Sequence, residues 1–293
     1  MIGHTMPLTT GPQEGTLQDF LPTTGFAYAL GLAYADHIRE TGSETPETPI
    51  VFLKNTAPKP GQDSVAIPTM ETLLRAVINA EPALCERVEA LKDQLVPMMD
   101  FEIELGVQLL EDCTLSELQA AKQLPMIGYF LANDVTSRTA QMMGELTRDR
   151  YVLWSASKSY DGFFPCGRTL WVPDAEARDL LPAVRLELKV NGKIRQSEPV
   201  SSLIYTPRQI LEGAAAFAPD QKLRAGDLIV TGTPAGVTFQ ISAEQKAIFA
   251  SMPLDVSIPK FLESGRNNPD YLKPGDLVEM DAEWLGQLTF TMT

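Results

Sequence analysis

Histidine is almost missing from this chain. Two occur in 293 residues, His4 and His37, and His4 falls in an irregular start, MIGHTMPLTTGPQEGT, rich in Gly, Thr and Pro. Zinc hydrolysis on a triad of histidines is therefore disfavoured, and a metal site would have to be built from oxygen. Cysteine is equally thin. Cys85, Cys113 and Cys166 lie far apart without a CxxC, so neither a disulfide framework nor a zinc cluster is expected, and all three read as reduced, partly buried thiols. No apolar run approaches the ~20 residues that span a bilayer, and Met1 to Phe20 lack a basic stretch leading into an apolar core. A membrane partner and a secretory route are not expected; a cytoplasmic location is. Positive charge is the minority, 24 Lys plus Arg against 38 Asp plus Glu for a net charge of −14, which disfavours nucleic acid and anionic membrane surfaces as partners.

At ~100 to 200 residues per domain, the length allows one large domain or two small ones. Ala27 to Thr41 (AYALGLAYADHIRET) reads as a short helical stretch that Gly42 can terminate. Ile50 to Lys54 (IVFLK) reads as a buried strand, and Glu71 to about Gln94 as a charged helix whose Leu73, Leu74, Val77 and Ile78 cover a sheet. Phe101 to Leu110 alternates, Met126 to Ala132 is a short apolar run, and Arg185 to Val190 with Lys193 to Gln196 flanks Asn191-Gly192, a type I′ hairpin signal. Leu228 to Thr231, Leu277 to Met280 and Gln287 to Thr291 are further strand candidates. There is no internal repeat and no convincing linker, so a β-rich α+β chain with a few covering helices is expected rather than a βαβ repeat.

Three groupings carry possible chemistry. Glu102 and Glu104 are two apart in FEIEL, so a strand puts both carboxylates on one face and Phe101, Ile103 and Leu105 on the other. Such a pair repels unless a cation neutralises it, and oxygen ligands favour Mg²⁺, Mn²⁺ or Ca²⁺; the alternative is an ordinary solvent-facing strand. Asp134 opens the segment DVTSRTAQMMGEL, where it can serve as a helix cap, or share a helical face with Arg138 and Gln141 to bind an acidic ligand beside a cation. His37 and Glu40, three apart, can meet on a helix so that the carboxylate orients the imidazole as a base for water, or they are a plain surface pair. Lys158 in SASKSYDGFFPCG reads most simply as a solvated lysine, and Thr233 in VTGTPAGV as a turn residue between Gly232 and Pro234.

Taken in order, GLAYADHIRE, DFEIELGVQLL, GYFLANDVTSRTAQ, KSYDGFFPCG, LKVNGKIRQ, GDLIVTGTPAGV and YLKPGDLVEM resemble the strings of the fumarylacetoacetate hydrolase family, GxNYADH, DxExELxVVIG, GYxxxNDVxxRDxQ, KSFDxFxPxG, LxVNGxxRQ, GDxIxTGTPxGVG and FLKPGDxVE. The resemblance runs from about Gly31 to the C-terminus. It implies a mixed β-roll of packed sheets, usually dimeric, with a His-bearing N-terminal lid over a divalent cation, Mg²⁺ first and Mn²⁺ or Ca²⁺ next. It implies Glu102, Glu104 and Asp134 as metal ligands, His37 with Glu40 as the water-activating dyad, and Lys158 as the group that stabilises developing negative charge. Arg138, Gln141 and Thr233 fall where the family contacts substrate.

On that footing, residues 1–70 form an N-terminal subregion with the His37 lid, and 71–293 a catalytic β-roll with an insertion at about 238–270. The expected activity is metal-dependent hydrolysis of a carbon-carbon bond in a 1,3-diketone or acylpyruvate-like oxo acid, by a homodimer. Alternatives are a decarboxylase, isomerase or hydratase of 2-oxo acids on the same metal, and a non-catalytic protein that binds small acids. The chain departs from the family's strings at Leu32, Ala33 and Thr139, where basic, Asn and Asp residues are usual. It also carries TFQISAEQKAIFASMPLDVSIPKFLESGRNNPD after Val237 and a longer link from Met142 to Ser157. These losses of polar groups point to a substrate less acidic than an acylpyruvate with a second carboxylate, or one differently oriented.

Overall fold

The computed structural model describes residues 6–23, 25–147, 151–240, 247–248 and 251–293. Among the described residues the strands form two principal sheets. The larger runs in the order Gly15–Asp19, Thr169–Pro173, Ile127–Asn133, Ile103–Leu109, Leu228–Val230, Ala27–Gly31, Ile50–Leu53. Along this path the pairings are antiparallel except where Leu228–Val230 runs parallel to Ala27–Gly31, and off it Pro165–Cys166 pairs parallel with Lys59–Pro60. The smaller follows the order Lys193–Pro199, Arg185–Val190, Leu277–Asp281, Gln287–Met292, Ser64–Val65. The result is an α+β fold of mixed sheets, as the sequence pattern implies.

The sheets share one core. Leu105, Val107, Tyr129 and Leu131 from the larger meet Leu186, Leu188, Met280 and Phe290 from the smaller, and complete burial of such side chains stabilises the fold by about 1.5–3 kcal/mol each. The opposite face of Ile103–Leu109 is covered as well, since Phe130, Phe164 and Val230 form a second cluster there. Gly106 makes room on that face: a Cβ would lie 2.3 Å from the Phe130 ring. All seven residues of the strand are buried, so it is a central strand with both faces covered, not a half-solvated one.

Local signals set several elements. Asn191 (φ 51°) and Gly192 (φ 75°) take the left-handed conformations of a type I′ turn between Arg185–Val190 and Lys193–Pro199. Gly42 (φ 59°) follows the short helix Ala35–Glu40 and returns its N–H to the Arg39 carbonyl.

Other elements differ from the sequence pattern. Ala27–Gly31 is a strand, not the start of a helix, because its five buried residues fill a slot between two neighbours; Leu32, at φ 56°, then ends it. The expected helix from Glu71 to Gln94 is broken into Met70–Ala80 and Cys85–Leu91, since Pro82 supplies no N–H and obstructs the preceding turn. Cys113 and Cys166 are buried thiols, whereas Cys85 is exposed. Strands from before residue 71 enter both principal sheets. No helix among the described residues is long and apolar enough to cross a membrane.

Candidate metal centre and active site

Strand register assembles the acidic cluster. Ile103 lies opposite Asn133 and Glu104 opposite Ala132, so one step further Glu102 faces Asp134, whose N–H donates to the Glu102 carbonyl (2.8 Å). Period two keeps Glu102 and Glu104 on the same face. The three carboxylates are buried, and they offer ligand atoms all within 4.8 Å of one another. Asp134 does not cap the next helix and lies on no helical face with Arg138 and Gln141. Ser137 is the N-cap of Arg138–Met142, accepting from the Ala140 N–H, because a short strand, Thr136–Ser137, intervenes.

Buried cations surround the cluster. Lys158 is 3% exposed, so it is not a solvated lysine. Its Nζ lies 2.5 Å from Glu102 Oε2, 2.7 Å from Asp134 Oδ2 and 2.8 Å from Thr136 Oγ1. Lys54 Nζ donates to Asp134 Oδ1 (2.5 Å) and to the Lys158 carbonyl (2.7 Å). Arg138 spends its guanidinium on Asp100 (2.7 Å), Glu102 (2.6 Å) and Gln141 (2.8 Å). Burial pushes Glu102 up, but Lys158 and Arg138 outweigh it and hold the carboxyl below its usual value. Burial lowers Lys54, with Asp134 opposing; Lys158 is raised because Asp134 and Glu102 overcome its burial.

Glu104 is the member without a cation. Among the described residues it accepts from the Gly232 N–H (2.7 Å) and pairs with none of the three cations. Burial first, then the charges of Asp134 and Glu102, push its carboxyl well above the ordinary value. With all four ionised, Asp100, Glu102, Glu104 and Asp134 carry one negative charge more than Lys54, Lys158 and Arg138 offset, and the upward push on Glu104 is the cost of that excess. Hard oxygen donors, close spacing and that excess fit a divalent cation.

Beside the cluster, His37 Nδ1 lies 2.7 Å from Glu40 Oε1. Glu40 Oε2 accepts from the Gly236 N–H (2.9 Å) and Gln240 Nε2 (3.3 Å). The pair is fixed and largely buried, with side-chain exposures of 10% and 15%, so it is not a loose surface i,i+3 contact. With Nδ1 engaged by a carboxylate, Nε2 is left to accept a proton.

A cavity of about 330 Å³ brings His37, Glu102, Arg138, Gln141, Lys158 and Thr233 to one surface. Glu40, Glu104 and Asp134 are joined to that lining through His37, through Gly232 beside Thr233, and through Lys158, respectively, rather than belonging to it. The Thr233 hydroxyl donates to the Ile103 carbonyl (3.0 Å) and accepts from Gln196 Nε2 (2.7 Å), so its hydrogen serves the scaffold. Sequence reasoning missed Lys54, Asp100 and Gln196. A lysine closing the apolar run IVFL is a weak signal for the first; the others carry none beyond lying in recognisable strings. Gln196 also accepts from the Ile103 N–H (3.0 Å) and donates to the Pro234 carbonyl (2.8 Å), tying the second sheet to the start of the glutamate-bearing strand. Gln196→Leu leaves these partners buried and unpaired and should cost about 2–4 kcal/mol, read as a lower midpoint in urea unfolding.

This chain belongs to the fumarylacetoacetate hydrolase family: the family profile described as Fumarylacetoacetate (FAA) hydrolase C-terminal matches residues 27–293. An uncharacterized protein of Archaeoglobus fulgidus is 32% identical over 238 residues, covering 80% of this chain and 76% of that one. The 2,4-didehydro-3-deoxy-L-rhamnonate hydrolase of a Sphingomonas species is 28% identical over 288 residues, covering 96% and 77%. In fold the chain is similar to fumarylpyruvate hydrolase from Pseudomonas aeruginosa, solved in complex with Mn²⁺ and pyruvate, with a TM-score of 0.61, 20% identity and 96% of each chain covered.

Proposed function

We propose that the protein is a divalent-cation-dependent hydrolase that cleaves a carbon-carbon bond in a 1,3-diketone or acylpyruvate-like acid. The observation that carries this reading is the lining of one cavity by an oriented His37-Glu40 pair and by Glu102 of the buried three-carboxylate cluster. The Sphingomonas relative's name, a hydrolase, agrees with it. Glu102, Glu104 and Asp134 would hold the cation, Mg²⁺ by preference, and a bound cation supplies Lewis-acid stabilisation of charge on neighbouring substrate oxygens.

His37 Nε2 takes a proton from water while Glu40 holds Nδ1–H and stabilises the imidazolium. The water oxygen bonds to the acyl carbonyl carbon. The bond between that carbon and the methylene then breaks, and its electron pair passes into the enolate of the departing 2-oxo acid. The Lys158 ammonium stabilises the enolate's negative charge, and the proton held on His37 returns to the enolate carbon. The balance is one water consumed, with a carboxylate, a 2-oxo acid and one proton released.

The test is hydrolysis of acylpyruvates in H₂¹⁸O by protein stripped with EDTA and reloaded with Mg²⁺. Activity is expected to vanish on stripping, return on reloading, and place one ¹⁸O in the carboxylate product. Full activity after stripping would overturn the metal requirement, and loss of CO₂ without ¹⁸O incorporation would assign decarboxylation instead.

A further inference from the structure

Besides its polar groups the cavity is lined by apolar side chains: Leu32, Phe52, Met142, Trp154, Ile258 and Phe261. Phe52 and Trp154 meet edge to face at 5.7 Å, and Phe239 lies against Phe261 at 5.4 Å, which gives the wall fixed shape rather than loose side chains. Gly31 belongs to this construction, since a Cβ there would sit 2.5 Å from Trp154 Cζ3. Most of the wall comes from the two stretches in which this chain departs from the family's strings. Met142 and Trp154 lie in the longer link, and Phe239, Ile258 and Phe261 in the insertion. Ile258 and Phe261 are three apart on the helix Leu254–Arg266, and so share one face of it.

Charge on the cavity surface is already committed. The Arg138 guanidinium is held by Asp100, Glu102 and Gln141 and covered by the Phe239 ring at 5.4 Å from Cζ. Lys158 is held by Glu102 and Asp134. Among the described residues no other lysine or arginine lines the cavity; Thr41, Ser43 and Ser257 are neutral, and Glu145 is acidic. A second carboxylate on the far end of a substrate would lose its hydration there without gaining a cation from the described residues. An alkyl or aryl group would be desolvated favourably.

We infer that the substrate is an acylpyruvate-type 2-oxo acid whose acyl group ends in an uncharged alkyl or aryl tail, seated against Trp154, Ile258 and Phe261. This rests on the reading of the site as a 2-oxo acid hydrolase, and the test separates the two. Calorimetric affinities of the Mg²⁺-loaded protein are measured for pyruvate, 2-oxohexanoate, 2-oxooctanoate and 4-phenyl-2-oxobutanoate, and for 2-oxoadipate, which matches 2-oxohexanoate in length but ends in carboxylate. Hydrolysis of the corresponding acylpyruvates is followed separately.

Kd should fall by ~fourfold per added methylene until the cavity is filled, and 2-oxoadipate should bind at least ~tenfold more weakly than 2-oxohexanoate. Phe261→Ala should flatten the series, while the wild-type series decides the matter even if that variant folds poorly. Affinities that do not change with tail length, or a preference for 2-oxoadipate, would overturn the inference. Tail-dependent binding without hydrolysis upholds the subsite and rejects the hydrolase. Hydrolysis indifferent to the tail does the reverse, and failure of every 2-oxo acid to bind rejects both.

Discussion

Glu104→Gln is expected to abolish divalent-cation binding and turnover together, while leaving the metal-free protein as stable as the wild type or more so. The reason lies in the pairing around the cluster. Glu102 is bound to Arg138 and Lys158, and Asp134 to Lys54 and Lys158. Truncating Asp134 takes the carboxylate from buried Lys54, a loss that typically costs about 3–5 kcal/mol, and truncating Glu102 breaks two buried pairs although Asp100 still faces Arg138 and Asp134 still faces Lys158. Glu102→Ala should therefore lose metal and activity but also stability, which mixes two causes. Among the described residues Glu104 accepts from the Gly232 N–H and pairs with no cation, and its charge is opposed by burial, by Asp134 and by Glu102. Removing that charge relieves repulsion in the metal-free state, and a glutamine oxygen can keep the Gly232 hydrogen bond. A cation present at 100 times its Kd stabilises the wild type by about 2.7 kcal/mol. Thermal unfolding with and without Mg²⁺ should show that increment in the wild type and none in Glu104→Gln. An equal Mg²⁺-induced rise in Tm in both proteins would place the cation elsewhere.

The second large effect belongs to His37. His37→Ala should lower kcat by ~10² to 10⁴, the range for loss of a general base, with Mg²⁺ affinity nearly intact because the imidazole is not among the carboxylate ligands. Glu40→Gln should hurt less. An amide oxygen can still accept from Nδ1–H, although it cannot stabilise the imidazolium, and its NH₂ then faces the Gly236 N–H that now donates to Glu40. Steady-state kinetics paired with calorimetric Mg²⁺ titration separates these effects. Wild-type kcat in His37→Ala would remove the dyad from the mechanism. Loss of hydrolysis with decarboxylation kept at a comparable rate would reduce His37 to a residue that covers the site.

Much of the site was legible because its parts obey short-range rules. Period two placed Glu102 and Glu104 on one face, three-residue spacing let His37 meet Glu40, and Asn191-Gly192 announced its hairpin. The ordered strings marked Asp134 and Lys158, although spacing alone left Lys158 a surface lysine and Asp134 a helix cap. Those local readings failed where a distant partner competed: Asp134 is taken by Lys54, 80 residues away, while Ser137 does the capping. The stretch Ala27–Gly31 failed similarly, since small apolar residues suit a helix or a fully buried strand, and only its neighbours on either side select the strand.

By itself, then, the sequence determined the donor chemistry, oxygen rather than imidazole or thiolate, the strand that carries two of the acids, and the turns that bound the elements. Tertiary structure decided the rest. The register that sets Glu102 against Asp134 spans about thirty residues, and the Gly232 hydrogen bond to Glu104 spans 128. Among the described residues, which carboxylates receive Lys54, Lys158 and Arg138, and which one receives none, follows from how distant segments pack around the glutamate-bearing strand. So does the presence of Trp154 and the inserted helix on one cavity. Propensity and periodicity act over a few residues of chain, whereas burial, charge pairing and cavity shape depend on which distant segments the packed sheets bring together.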